Sequence, residues 1–217
     1  MKQHISITFF VLTLFAATNI WARPLKGFNE GPYLCVEGGL IQADFDRDEQ
    51  TGIKIGNDFE PTVGIIFGWN LWDWFSAELE GRYGTNINGD KREHLVGANV
   101  TGKYFFILDA LTSFESLRIM PTVKGGFAFR VASLPGDPNS NDQAVTTFGW
   151  GPAVGGGISF LWKKYLSFGI NVQEDLLFFK DIRQDITING AASPNTLIYK
   201  GGFIPQFSAM GFVGVHY

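Results

Sequence analysis

The sequence predicts an all-β protein, an eight-stranded antiparallel up-and-down transmembrane β-barrel, on three observations. The chain opens with an export signal. Period-two alternation then recurs in eight segments longer than ordinary globular strands, and inside those segments the charged residues keep to one face.

Lys2 supplies a short positive n-region, and 5–17 (ISITFFVLTLFAA) is an apolar h-region. Ala22 closes an Ile20-Trp21-Ala22 cleavage site ahead of Arg23, the pattern of a secretory signal peptide over 1–22. The apolar stretch decays into Thr18 and Asn19, short of the roughly 20 residues of a helical anchor. No Cys follows the h-region, which argues against a lipoprotein. The expected mature domain, 23–217, has 195 residues, about one domain. Lys2 is the only charge lost with the signal, so 16 Lys+Arg face 21 Asp+Glu and the net charge is −5. That balance gives no support to nucleic-acid binding. Cys35 stands alone, which excludes an internal disulfide framework. No later run of 18 apolar residues offers a spanning helix, and a chain with 27 Gly and 15% aromatics points to sheet.

Each strand follows from its alternation. In 32–43, Leu34, Val36 and Leu40 oppose Cys35, Glu37 and Gly39. In 59–69, Val63, Ile65, Phe67 and Trp69 oppose Thr62, Gly64 and Gly68, and a tight break at 70–73 follows. The clearest is 74–83, where Phe75, Ala77, Leu79, Gly81 and Tyr83 alternate with Ser76, Glu78, Glu80 and Arg82. In 94–106, Val96, Ala98, Val100, Tyr104 and Phe106 oppose Asn99, Thr101 and Lys103. In 118–131, Val123, Phe127, Phe129 and Val131 oppose Thr122, Lys124, Gly126 and Arg130. In 147–161, Trp150, Val154, Ile158 and Phe160 oppose Gly151, Ala153, Gly155, Gly157 and Ser159. In 165–179, Leu166, Phe168, Ile170 and Val172 oppose Asn171, Gln173 and Asp175. The eighth, 197–217, carries Phe203, Phe207, Ala209, Val213, Val215 and Tyr217 against Lys200, Gln206, Ser208 and His216.

Cost decides which face meets lipid. An Arg or Lys on the lipid side at mid-bilayer costs roughly 2–4 kcal/mol, so the charged face is inward and the apolar face outward. Closure is required because no open sheet edge survives in hydrocarbon, and eight strands give an interior that side chains fill. The breaks at 70–73 and 162–164 are short and 108–116 is intermediate, whereas 44–58, 84–93, 132–144 and 180–195 are longer and polar. Outer-membrane barrels have short periplasmic turns and longer outward loops, which places both termini and Trp69, Trp72, Trp74, Trp162 and Tyr165 at the periplasmic side.

The strand WFSAELEGRY at 74–83, the run MPTVKGGFAF at 120–129 and the terminal strand together resemble the small outer-membrane barrels of the OmpA/OmpX type, the porin-family or opacity-like proteins. The resemblance spans about 27–217 and rests on the ordered set rather than on any single motif. It implies that the last strand, with Phe207, Val213, Val215 and Tyr217 at alternate positions, is a signal read by the barrel-assembly machinery. No peptidoglycan-binding domain follows the eighth strand, so that role of the family is not implied.

The expected lumen network sets Glu37, Glu78, Glu80 and Asp175 against Arg82, Lys103, Lys124, Arg130 and Lys200. In a narrow interior such charges must pair, because an unpaired buried charge is expensive. This favours a closed, non-enzymatic barrel for envelope integrity or for surface interaction through its outer loops, in contact with outer-membrane lipid and lipopolysaccharide and with surface or host ligands. The alternative is a narrow porin-like channel for ions or small solutes, for which Gly151, Ala153, Gly155 and Gly157 would leave one side of the lumen with little bulk. The preferred account of these small residues is room for Lys and Arg from neighbouring strands. Barrel enzymes acting on lipid A use a His with polar partners. Here His94 has outward parity, His216 lies beside the terminus, and spacing converges no Ser and carboxylate on either. No catalytic, cofactor or metal residue is therefore expected. Asp44–Asp48 mimics the start of a calcium loop, but Glu49 replaces its Gly and Ile55 its Glu, so a solvated acidic loop with at most a weak cation site is expected.

Overall fold

The computed structural model describes residues 30–217 apart from 43–44, 49–51, 56–58, 89–90, 107–116, 135–144, 164, 189–190 and 200. The expected signal segment 1–22 and Lys200 lie outside the described residues. Twelve strands follow one another: β1 (Gly31–Gln42), β2 (Phe45–Asp48), β3 (Gly52–Ile55), β4 (Phe59–Trp72), β5 (Phe75–Asn88), β6 (Lys91–Phe105), β7 (Leu117–Leu134), β8 (Val145–Trp162), β9 (Leu166–Phe179), β10 (Ile182–Ile188), β11 (Ala191–Tyr199) and β12 (Phe203–His216). Eight of them close a barrel in the order β1-β12-β9-β8-β7-β6-β5-β4, every neighbour antiparallel. The other four pair as two separate hairpins, β2–β3 and β10–β11.

The register sets the geometry of closure. From Gly31 it runs through Asn70, Ser76, Lys103, Lys124, Gly155, Gln173 and Ser208, and returns to β1 at Ile41, ten residues further along. With about 3.3 Å per residue and about 4.8 Å between strands, that stagger tilts the strands by about 40°. Phe59 and Trp69 then bracket a band about 25 Å tall on β4, the height of an outer-membrane apolar belt.

Three sequence expectations change. The polar segment 84–93 is not a loop. β5 continues to Asn88 and β6 resumes at Lys91, paired down to Asn88↔Lys91. Segments 44–58 and 180–195, also expected as loops, hold the hairpins β2–β3 and β10–β11. The eighth barrel strand begins at Phe203 rather than 197, since Leu197 pairs with Arg183 in the outer hairpin. The common reason is that polar composition marks exposure to water, whereas a hairpin outside the membrane stays hydrogen-bonded without an apolar face. At the opposite end two connections are tight. β4 and β5 turn at Asp73-Trp74 after a register shift between Asn70 and Trp72. Between β8 and β9, Lys163 takes a left-handed φ of 49°. Gly31, at φ 127°, meets the last strand where a Cβ would sit 2.8 Å from the Tyr217 carbonyl oxygen.

Candidate functional site: the barrel interior

Polarity is inverted relative to a soluble core. The outward side chains are exposed and apolar, with Val63 62% and Ile170 63% exposed, whereas Glu80, Arg130 and Asp175 are 0% exposed. Burial alternates with period two along the barrel strands, so each inward residue is defined by its strand parity.

The structure brings eight of the nine proposed lumen charges into a chain of buried pairs. Arg82 bridges two acids, its Nε donating to Glu37 at 2.7 Å and its Nη2 lying 3.0 Å from Glu80. Glu80 also accepts from Lys124 at 2.6 Å and from the Asn99 amide at 2.7 Å. Toward the outer end, Arg130 pairs with Asp175 and donates to Gln206 at 3.0 Å and to Asn99 at 2.6 Å. Toward the turn end, Lys103 donates to Glu78 at 3.1 Å, the Tyr33 hydroxyl donates to the same carboxylate, and the Lys103 ammonium lies over the Phe105 and Phe212 rings. Each of these eight charges thus faces an opposite one at hydrogen-bonding distance, the condition under which buried charges are tolerated.

Glycines fit this filling side by side. Gly97 lies opposite Arg130, and a Cβ there would come within 2.7 Å of the guanidinium. Gly64 likewise lies opposite Glu37, with 2.6 Å to the carboxylate oxygen. The stripe on β8 behaves differently from expectation. A Cβ at Gly151, Gly155 or Gly157 would meet the carbonyl oxygens of Leu176, Val172 or Ile170 on β9, so these glycines admit the neighbouring backbone rather than Lys or Arg side chains. They do not mark an open lane through the lumen.

Sequence alternation placed Cys35 and Ala153 inward but missed the other inward apolar residues. Tyr33, Cys35, Ile66 and Phe212 form one buried cluster and Phe105, Met120 and Leu161 another, both toward the turn end. At the outer end of the inward rows lie Ile41, Leu95, Ala132, Leu177, Phe179 and Ile204, all buried. The charged stretches of the β1, β6 and β7 rows are therefore flanked by apolar side chains, whereas the β5 row runs from Ser76 to Gly84 without one. Their parity was the available signal, since Ile41 follows Glu37 by four residues and Leu177 follows Asp175 by two. Glu60, also buried, shares the inward parity of Thr62 and Gly64.

Aromatic side chains ring both ends. Trp72 and Trp74 stack with centroids 5.1 Å apart at the turn end, joined by Tyr104 and Phe75. A second belt, not anticipated from sequence, has Trp150 beside Phe178 at 6.3 Å, Phe178 beside Phe203 at 5.2 Å and Phe59 beside Phe207 at 6.2 Å. His94 is exposed on the outer face, its Nδ1 2.9 Å from the Tyr83 hydroxyl. His216 stacks on Tyr33 at 4.9 Å and lies 3.4 Å from the Asn70 amide. On β12, Val213 and Val215 face outward, as does Tyr217 just beyond the strand, while Phe207 is half-buried. Asp46 pairs with Lys54 in the β2–β3 ladder, which is a hairpin rather than the coil of a calcium loop.

No protein-family model matches the chain, and no curated protein matches it by sequence. Solved structures do match. Neisserial surface protein A is similar at 13% identity with a TM-score of 0.53, over 86% of this chain and 97% of its own. The outer membrane protein OprG from Pseudomonas aeruginosa matches at 12% identity and a TM-score of 0.46, over 87% of this chain and 97% of its own. Ail, the attachment invasion locus protein of Yersinia pestis, matches at 8% identity and a TM-score of 0.46, over 87% and 98%. At such identities the likeness is one of fold. The chain has the closed eight-stranded antiparallel fold of the small outer-membrane barrels.

Proposed function

We propose that this chain is exported by way of residues 1–22 and serves in the Gram-negative outer membrane as a closed, non-enzymatic barrel. It supports the envelope and presents its outer hairpins to surface ligands. The observation that carries this reading is the filled lumen: buried ion pairs at 2.6 to 3.1 Å, with apolar side chains at the ends of the inward rows of β1, β6, β7 and β9. A passing ion would have to break a pair and strand its partner, and removing one member of a buried pair costs roughly 3–5 kcal/mol. Surface recognition then falls to the connections at the outer end, among them β2–β3 and β10–β11, since binding residues concentrate on segments held by a rigid scaffold. Lipopolysaccharide would meet the outer aromatic belt. Phe207, Val213, Val215 and Tyr217 would be read by the barrel-assembly machinery before closure. One of the similar structures is by its name a surface protein.

The deciding experiment is conductance of the purified protein in planar bilayers, paired with a deletion series over 43–58 and 181–200 scored for binding to host surfaces. The expected outcome is an electrically silent barrel whose binding depends on those segments. Stable, reproducible openings would replace this reading with the narrow channel for ions or small solutes.

A further inference from the structure

Among the described side chains facing lipid between the two aromatic belts, Glu174 is the only charged one. It lies on β9 in the outward row Ile170, Val172, Glu174, Leu176, Phe178, and by register it sits between Val154 of β8 and Phe207 of β12. It is half-buried, and among the described residues no hydrogen bond or ion pair is made to it. Four residues separate it from Phe178 in the outer belt, about 10 Å along the barrel axis at a strand tilt of about 40°. Its register neighbour Phe207 is the belt residue that reaches deepest, so Glu174 lies at the inner edge of the outer belt, on the hydrocarbon side of Trp150 and Phe178. An ionisable residue at such depth is expensive and calls for a partner.

We propose that Glu174 marks a contact face between two copies of this barrel, in which the two Glu174 carboxyls hydrogen-bond to each other across a two-fold axis parallel to the membrane normal. Such an axis keeps every residue at its own depth, so near the axis Glu174 meets Glu174. A carboxyl that carries its proton has one donor and one acceptor, which makes it complementary to itself. No described cation shares the outer face at this depth, so a Glu174 ion pair between copies has no second member. Just toward the turn end, Val172 is flanked by Gly156 and Ala209, and Ile170 by Gly211. Small residues beside a contact let neighbouring walls approach closely in a membrane, where packing and hydrogen bonds drive association. This inference goes beyond the closed-lumen reading and does not depend on it, because one concerns the outer face and the other the interior.

The test is disulfide cross-linking in liposomes. Val172→Cys lies beside Glu174, and Leu79→Cys lies at matched depth on β5, across the barrel. Cross-linked dimer is expected at least five-fold above the Leu79→Cys level for Val172→Cys. It should fall to that level in V172C/E174L and stay within two-fold of V172C in V172C/E174Q, because an amide also pairs with itself. Each variant must first show the wild-type mobility of an unheated barrel in detergent gels; E174L adds apolar surface on the lipid side, which favours folding. Val172→Cys cross-linking no better than Leu79→Cys would overturn the proposal, as would indifference to E174L. Cross-linking in cells to a different outer-membrane protein would overturn it in favour of that partner.

Discussion

Glu80→Leu probes the interior where one buried carboxylate holds three partners. The carboxylate is fully buried, with Lys124 at 2.6 Å, Asn99 at 2.7 Å and Arg82 at 3.0 Å. Arg82 keeps Glu37 at 2.7 Å after the substitution, whereas Lys124 loses the one acid paired with it among the described residues. The perturbation is thus one stranded ammonium, one weakened guanidinium and one orphaned amide, for which roughly 3–5 kcal/mol of barrel stability is expected. At a urea dependence of about 2 kcal/mol per M, the unfolding midpoint should move down by about 1.5–2.5 M. Reversible urea titration in lipid vesicles, followed by tryptophan fluorescence and by the mobility of unheated samples, measures that shift. Lys124→Met in the same background removes the stranded charge and should recover about 1–3 kcal/mol as a coupling term in a double-mutant cycle. A midpoint change under about 0.3 M for E80L, or coupling near zero with K124M, would refute the ion-pair account of the interior.

Two further outcomes follow from the same geometry. Leu79→Arg, one residue away and 54% exposed, puts a guanidinium on the lipid side and should cost roughly 2–4 kcal/mol in the same titration. No lumen change such as K124M should relieve it, and equal relief of L79R and E80L would mean that the two faces are not distinct. Protease added to intact cells should cut within 43–58 or 181–200 and spare the Asp73-Trp74 turn; cleavage confined to that turn would invert the barrel in the membrane.

The eight barrel strands, their closure and the facing of the alternating charged and apolar residues were legible in the chain itself. Trp74-to-Tyr83 shows why. Glu78, Glu80 and Arg82 alternate with Ala77, Leu79 and Gly81, and a period of two allows no assignment in which both sets share a face. Where alternation has no apolar face to reveal, it falls silent. The hairpins β2–β3 and β10–β11 and the extension of β5 and β6 to Asn88 and Lys91 lie in polar stretches whose strand character rests on hydrogen bonding. The inward apolar ends of the rows, such as Ile41 and Phe212, escaped for the opposite reason: inward was equated with polar, although a filled lumen packs carbon as readily as charge.

The sequence by itself determined that Glu37, Glu80, Arg82 and Lys124 share an interior, because any other parity would put their charges in hydrocarbon. Only the tertiary structure decided who pairs with whom. Arg82 reaches Glu37 from β5 to β1 across the intervening β4, while Lys124 reaches Glu80 from β7 to β5 across β6. Those distances depend on a stagger of ten residues around the closed sheet, which no single strand encodes. Parity is a local property of one strand, whereas register belongs to the barrel as a whole, and the interior chemistry is set by register.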